Sequence, residues 1–263
     1  NKIDHRNKRL IFEIVYGVIR NRLSIDYVLN YYLNQRQFQK NNLLMWILRI
    51  GMYQIVFLDR IPDHAAVYES VNLAKRNNST QKLAGVVNAV LRKITKTKNR
   101  LPRPHVSEDL PFRLSIQYSH PQWLIQRWLK QYGLSNTKKI LQFNNMRPTI
   151  FLRRKLRGIS RQQFESDIKS ICDFTGKGIG FKNLYYSLKK SVFPEDIKIL
   201  QDGYCTVQST SSGWVVALLN IQEDDKVLDL CSAPGGKTSL IAELLGGNGA
   251  LCAADINIKR LKN

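Results

Sequence analysis

The sequence predicts an α + α/β protein: an all-helical N-terminal bundle, a small α+β middle domain, and the opening of a doubly wound parallel sheet. Three observations carry this. Apolar residues recur at helical spacing from Lys8 to about Ile94; short strand and helix patterns alternate between Pro148 and Leu200; and a strand, a Gly-Gly loop, a helix and a second strand follow one another from Lys226 to Ala254. At 263 residues and 43% hydrophobic, the chain is too long for one ordinary domain and apolar enough to build real cores. The expected divisions are 1–104, 112–202 and 203–263.

In the first division, Leu10, Ile11, Ile14, Val15, Val18 and Ile19 make one stripe, and Tyr27, Val28, Tyr31, Tyr32 and Leu33 a second. Leu43 to Leu58 is the most apolar stretch. It falls short of the ~20 residues of a membrane span and carries Arg49 at its centre, so it reads as a buried core helix. Ile61-Pro62-Asp63 stops it, and Asp63 is expected to cap a helix from His64 to Arg76. A last stripe runs through Leu83, Val86, Val87, Val90 and Leu91. The basic stretch Lys93 to Arg103, ending in Leu101-Pro102-Arg103-Pro104, is the expected linker.

A helix from Pro121 to Tyr132 follows, with Trp123 and Trp128 at a spacing that favours core over base stacking. Thr149 to Arg153 reads as a strand, Ser160 to Cys172 as a helix capped by Ser160, and Leu184 to Ser187 as a strand. Val207 to Asn220 reads as a helix after Gly203. Then come a strand Lys226–Leu230, a loop Cys231–Gly236, a helix Lys237–Leu245 and a strand Ala250–Ala254, one βαβ unit.

Charge gives the first functional clue. Residues 1–207 carry 36 basic and 14 acidic side chains, a surplus of 22, whereas residues 208–263 carry 5 and 6. A uniform drift toward lysine would not spare the last segment, so a polyanion held by the first two thirds is expected. Arg92, Lys93, Lys96, Lys98, Arg100 and Arg103 in the linker, and Arg147, Arg153, Arg154, Lys155 and Arg157 beyond it, are the candidate phosphate contacts. Cys172, Cys205, Cys231 and Cys252 form no CxxC pair and no His-rich set, which argues against bound metal and against a disulfide framework. His5, His64, His105 and His120 are scattered beside capping and turn residues and read as structural. The charged opening Asn1-Lys2-Ile3-Asp4-His5-Arg6 lacks the form of a signal peptide, and its missing initiator methionine suggests residues upstream. A monomeric protein in the reducing cytoplasm, with no membrane partner, is expected.

The sharpest motif is Asp229-Leu230-Cys231-Ser232-Ala233-Pro234-Gly235-Gly236-Lys237-Thr238, placed where an open α/β sheet binds ligands. Gly235 and Gly236 let backbone approach a ligand, and the following helix offers unpaired N–H groups. Nineteen residues past Gly236, Asp255 closes the second strand, where a carboxylate can accept from both hydroxyls of a ribose. A phosphate-binding GxxxxGK[ST] loop fails at its first position, Cys231, and a dinucleotide GxGxxG is absent. An S-adenosylmethionine loop, which cradles no pyrophosphate, fits throughout. The site residues are therefore expected to be Cys231, Ser232, Ala233, Pro234, Gly235, Gly236, Lys237 and Asp255. An ordinary Gly-rich turn and a phosphate-binding loop without its first glycine stay open as alternatives.

This motif resembles the cofactor loop of RNA 5-methylcytosine methyltransferases, and Gly203-Tyr204-Cys205-Thr206-Val207-Gln208 resembles the opening of their domain. The resemblance extends through Tyr118-Ser119-His120-Pro121-Gln122-Trp123-Leu124, Asn144-Asn145-Met146-Arg147-Pro148, Arg60-Ile61-Pro62-Asp63-His64-Ala65-Ala66 and Val87-Asn88-Ala89-Val90-Leu91-Arg92. Taken together, these are similar to the RsmB (Sun) family of small-subunit ribosomal RNA cytosine-5 methyltransferases. The resemblance implies a NusB-like RNA-binding domain, a small RNA-binding α+β domain, and a Rossmann-like methyltransferase domain using S-adenosylmethionine. Ser209 and Ser232 stand where the family usually has Asp and Ala. Methylating carbon 5 of cytosine requires a thiolate to add at carbon 6, and the family's two functional cysteines lie in Pro-Cys and Thr-Cys dipeptides. Neither dipeptide occurs here. The resemblance thus implies a C-terminally truncated, inactive fragment with no catalytic residue of its own. A non-catalytic NusB-like RNA-binding module of the antitermination type is the alternative reading.

Overall fold

A computed structural model describes residues 4–33, 41–173, 178–189 and 192–261; the opening Asn1-Lys2-Ile3 and the side chain of His5 lie outside that description. The chain forms two compact units that divide between Arg147 and Pro148.

The first unit is helical: α1 (His5–Arg20), α2 (Arg22–Tyr32), α3 (Asn42–Phe57), α4 (Asp63–Lys75), α5 (Ala84–Thr97), α6 (Leu110–Tyr118) and α7 (Gln122–Asn145). Helix α3 is the central rod. Leu44, Leu48 and Ile55 are fully buried, and Asn41 caps the helix by accepting from the Leu44 amide at 3.0 Å. Arg49, its one cation, reaches Asp26 on α2 with two parallel bonds of 2.6 and 2.9 Å, which is how a charge sits within an apolar helix. Among the described residues no helix is long and apolar enough to cross a membrane.

The structure departs from the sequence reading in several places here. Of the α1 stripe, Val18 is buried and Ile14 packs on the core, but Leu10, Ile11, Val15 and Ile19 are exposed. The stripe is wider than the face α1 turns to its neighbours. Pro62, not Asp63, caps α4, and the Asp63 carboxylate instead meets Lys98 at 3.3 Å. The junction expected near residue 104 is not a break between compact units. Leu101 packs on the helical core, and α6 is fastened to α2: the Leu23 amide donates to Ser119 Oγ at 2.9 Å and the Ser24 hydroxyl to the Ile116 carbonyl. Helix α7 runs on past Tyr132 to Asn145, interrupted at Gly133, whose φ of 71° leaves helical space. Trp128 joins the cluster of Leu114, Ile125 and Leu141, whereas Trp123 is 63% exposed.

The second unit contains β1 (Phe151–Arg154), α8 (Arg161–Ile168), β2 (Cys172–Asp173), β3 (Tyr185–Leu188), α9 (Lys198–Gln201), β4 (Cys205–Val207), α10 (Thr210–Leu218), β5 (Lys226–Asp229), α11 (Gly236–Leu245), β6 (Ala250–Ala253) and α12 (Ile258–Leu261). Strands β2-β3-β1-β4 form an antiparallel sheet, with Leu152 opposite Tyr186 and Val207. Strand alternation then sorts the side chains. Leu152, Tyr186, Leu188 and Cys205 pack with Phe164 and Ile168 of α8 in one core. Tyr185 belongs to a second core with Val216 of α10 and Leu240, Ile241 and Leu245 of α11. The junction expected at residue 203 is therefore no break either, because Cys205–Val207 pairs with β1. Cys172 lies in β2 and not in the preceding helix, and Val207 lies in β4; α10 starts after Ser209, which caps it by accepting from the Ser212 amide at 3.3 Å.

Arg153, read from sequence as a phosphate contact, is fully buried. Its guanidinium donates to Glu243 Oε1 at 2.9 Å and Ser239 Oγ at 3.0 Å, both on α11, while Glu243 Oε2 accepts from the Leu156 amide at 2.8 Å. Arg154 donates to the carbonyls of Lys155 and Ile159. The run Arg153-Arg154-Lys155 is therefore no basic patch: alternation on β1 turns Arg153 inward. Breaking a buried ion pair from one side leaves the other charge uncompensated. Arg153→Ala should cost about 3–5 kcal/mol of unfolding free energy in a urea titration, against less than about 0.5 kcal/mol for the exposed neighbour Arg157→Ala.

Candidate functional site

Strands β5 and β6 pair in parallel, with Lys226 opposite Ala250 and Asp229 opposite Ala253, and α11 crosses between them. The predicted loop Cys231 to Gly236 and the predicted acid Asp255 meet at the C-terminal ends of both strands. The Asp255 carboxylate accepts from the Ala233 amide at 3.0 Å and the Asn257 amide at 2.8 Å. These two bonds hold its pKa below the usual carboxylate range. The Ser232 amide donates to the Ala254 carbonyl at 3.1 Å, a second tie between loop and strand end.

The loop closes as a turn, with the Gly235 amide on the Ser232 carbonyl at 2.6 Å. Gly235 caps α11 in the left-handed region at φ 97°, a conformation that favours glycine, and its α-carbon faces open space. No side chain caps α11, so the amides of Gly236, Lys237 and Thr238 begin it without one. Ser232 is buried, yet its hydroxyl has no hydrogen-bond partner among the described residues. Cys231 and Pro234 are exposed and Lys237 is half-buried. The structure thus brings together all eight residues expected from sequence. Uncapped amides suit an anionic group, and the free lone pairs of Asp255 suit hydroxyls.

Two contributors were not among the expected site residues. Asp229, at the end of β5, accepts from the Cys231 amide at 3.2 Å and the Thr238 hydroxyl at 2.7 Å, bracing the loop across its width. Its position beside the loop was the available signal. Gln208 accepts from the Tyr185 hydroxyl at 3.2 Å and donates to the Gly236 carbonyl at 2.8 Å. No local pattern could reveal that bond, which spans 28 residues.

The cysteines separate by environment. Burial pushes the Cys172 thiol up to about 12 and the Cys205 thiol up to about 11. Cys231 is exposed, as is Cys252, because the face of the β5–β6 pair that carries it is uncovered. No group of His, Cys, Asp and Glu among the described residues could hold a metal ion.

Residues 1–96 match the NusB family, residues 120–170 the ferredoxin-like domain of RsmF/B-like methyltransferases, and residues 216–263 the 16S rRNA methyltransferase RsmB/F family. The chain is 32% identical over 274 residues to the probable ribosomal RNA small subunit methyltransferase B of Bacillus subtilis, covering 100% of this chain and 57% of that protein. It is 31% identical to the probable methyltransferase B of Synechocystis, covering 97% and 57%, and 31% identical to that of Escherichia coli O9:H4, covering 99% and 58%. The chain thus spans a little over half the length of these relatives. The crystal structure of PH0851 superposes with a TM-score of 0.74 at 19% identity, over 100% of this chain and 58% of that one, a likeness of fold. The matches fall in the order of the helical unit, the antiparallel sheet and the parallel strands: a NusB-type domain, an RsmF/B-like ferredoxin-like domain and a segment similar to the RsmB/F methyltransferases, in a chain similar over nearly all its length to proteins named ribosomal RNA small subunit methyltransferase B.

Proposed function

We propose that the protein is an S-adenosylmethionine-dependent methyltransferase acting on carbon 5 of a cytosine in small-subunit ribosomal RNA, for which this chain supplies RNA-binding units and the cofactor loop. The observation that carries it is the loop between β5 and β6, with uncapped helix amides on one side and Asp255 on the other. When bound, S-adenosylmethionine supplies an electrophilic methyl group on a sulfonium. The residues fit it. Asp255 would accept from the ribose hydroxyls on lone pairs its two backbone bonds leave free, the first amides of α11 would hold the carboxylate, and the orphaned Ser232 hydroxyl could gain a partner. Cys231 to Lys237 would contact the cofactor.

None of the four cysteines is the nucleophile that activates cytosine. Cys172 and Cys205 are protonated in the core of the antiparallel sheet, Cys231 belongs to the cofactor loop, and Cys252 stands mid-strand. The RNA partner is held by exposed cations, Lys96, Arg100 and Arg103 in the helical unit and Arg157 in the second, with Arg92 beside them donating to Asn88 at 3.0 Å. Lys98 and Lys93 contribute less, since one pairs with Asp63 and the other lies over the Tyr32 ring at 5.2 Å.

Two outcomes test this reading. Asp255→Ala should weaken binding of S-adenosylmethionine by about tenfold to a hundredfold in calorimetry on the full-length protein; unchanged affinity would exclude the ribose contact. The 263-residue chain alone should show no transfer of a tritiated methyl group to ribosomal RNA. Turnover above background would assign one of its four cysteines the role denied here.

A further inference from the structure

Resting on that reading of RNA as the partner, we propose that the first half of α7 is a base-stacking platform for single-stranded RNA, with Trp123 as the stacking surface and Arg127 and Lys130 as its phosphate contacts. Trp123 was expected in the core, but Ile125 and Trp128 take the inward positions of this helix. Trp123 is 63% exposed, and its indole makes no hydrogen bond or ring contact among the described residues. Arg127 and Lys130 follow at i+4 and i+7, which sets all three within about 60° of one helical face and about 10 Å of its length. Both cations are exposed.

Charge selects the occupant. Residues 110–147 hold six basic side chains and not one Asp or Glu, in a chain with 20 acids overall. Asp109 is the nearest acid in sequence, and it caps α6 while accepting from Gln122 at 3.1 Å. A flat indole beside two cations, in a stretch without acids, calls for an occupant that brings an aromatic face and negative charge together. A base flanked by phosphates supplies both, and unpaired strands alone present the base face. The helix turns away at Gly133, which limits the platform to these two turns.

The test is anisotropy titration of the 263-residue chain against a labelled single-stranded oligoribonucleotide of about 12 nucleotides and against its duplex. Trp123→Ala should weaken single-strand binding by about tenfold, leave duplex binding and the salt slope unchanged, and be largely rescued by Trp123→Phe. The pair Arg127→Gln and Lys130→Gln should reduce the slope of log affinity on log salt by about 1.4, or 0.7 per lost phosphate contact. Normal single-strand binding by Trp123→Ala, or equal loss on both probes, overturns the platform while leaving RNA as the partner. No salt-dependent RNA binding by the unaltered chain would overturn both.

Discussion

The buried guanidinium of Arg153 ties the antiparallel sheet of the second unit to α11. An antiparallel sheet and a parallel strand pair have no backbone hydrogen bonds to share, so side chains must fix their mutual geometry. Apolar packing of Tyr185 and Val216 against Leu240 and Ile241 supplies adhesion without direction. Direction comes from the charge pair and from Gln208, which bonds Tyr185 and the Gly236 carbonyl. Glu243 spends one carboxylate oxygen on Arg153 and the other on the Leu156 amide, so a single residue of α11 reads both a side chain and the backbone of the segment following β1. A desolvated ion pair contributes little net stability, yet it tolerates few alternative arrangements. That suits a junction whose error would be carried straight to the cofactor loop.

The helical unit solves a different problem. Its basic surplus has to stay outside a core dominated by one apolar helix. Where a cation enters, as Arg49 does, a bidentate carboxylate meets it. Elsewhere aliphatic stems and rings absorb the charge, as with Lys93 over Tyr32. Most of the remaining basic groups reach the surface; the stretch from Leu110 to Arg147 contains no acid of its own, and Arg147 meets Glu13 of α1 at 3.8 Å.

Local physics was legible in the sequence, and long-range pairing was not. Helix α3 could be read because apolar density, length and the Ile61-Pro62 stop all agreed. The βαβ unit could be read because strand period, Gly-Gly turn and helix period follow within thirty residues, and the eight loop residues came with it. The charge of Arg153, by contrast, looked like its neighbours'; only its register on β1, opposite Tyr185, turns it inward. Gln208 was invisible for the same reason. That α6 packs with the first unit could not be read either, because its ties to α2 run through Ser24 and Ser119, residues with no signature of partnership. Trp123 and Trp128 lie five residues apart on one helix; their spacing says only that they face differently, not which one faces water.

The ties around the loop also bear on the entropy of ligand capture. Asp255 holds Ala233, Asp229 holds Cys231 and Thr238, Ala254 holds Ser232, and Gln208 holds the first turn of α11. Backbone freedom that a flexible Gly-Gly loop would otherwise surrender on meeting a ligand has already been given up during folding. Free energy gained from a few polar contacts is then available for affinity instead of for ordering the chain. The same carboxylate that would recognise the ligand is a strut of its own pocket, so shape and recognition at this site stand or fall together.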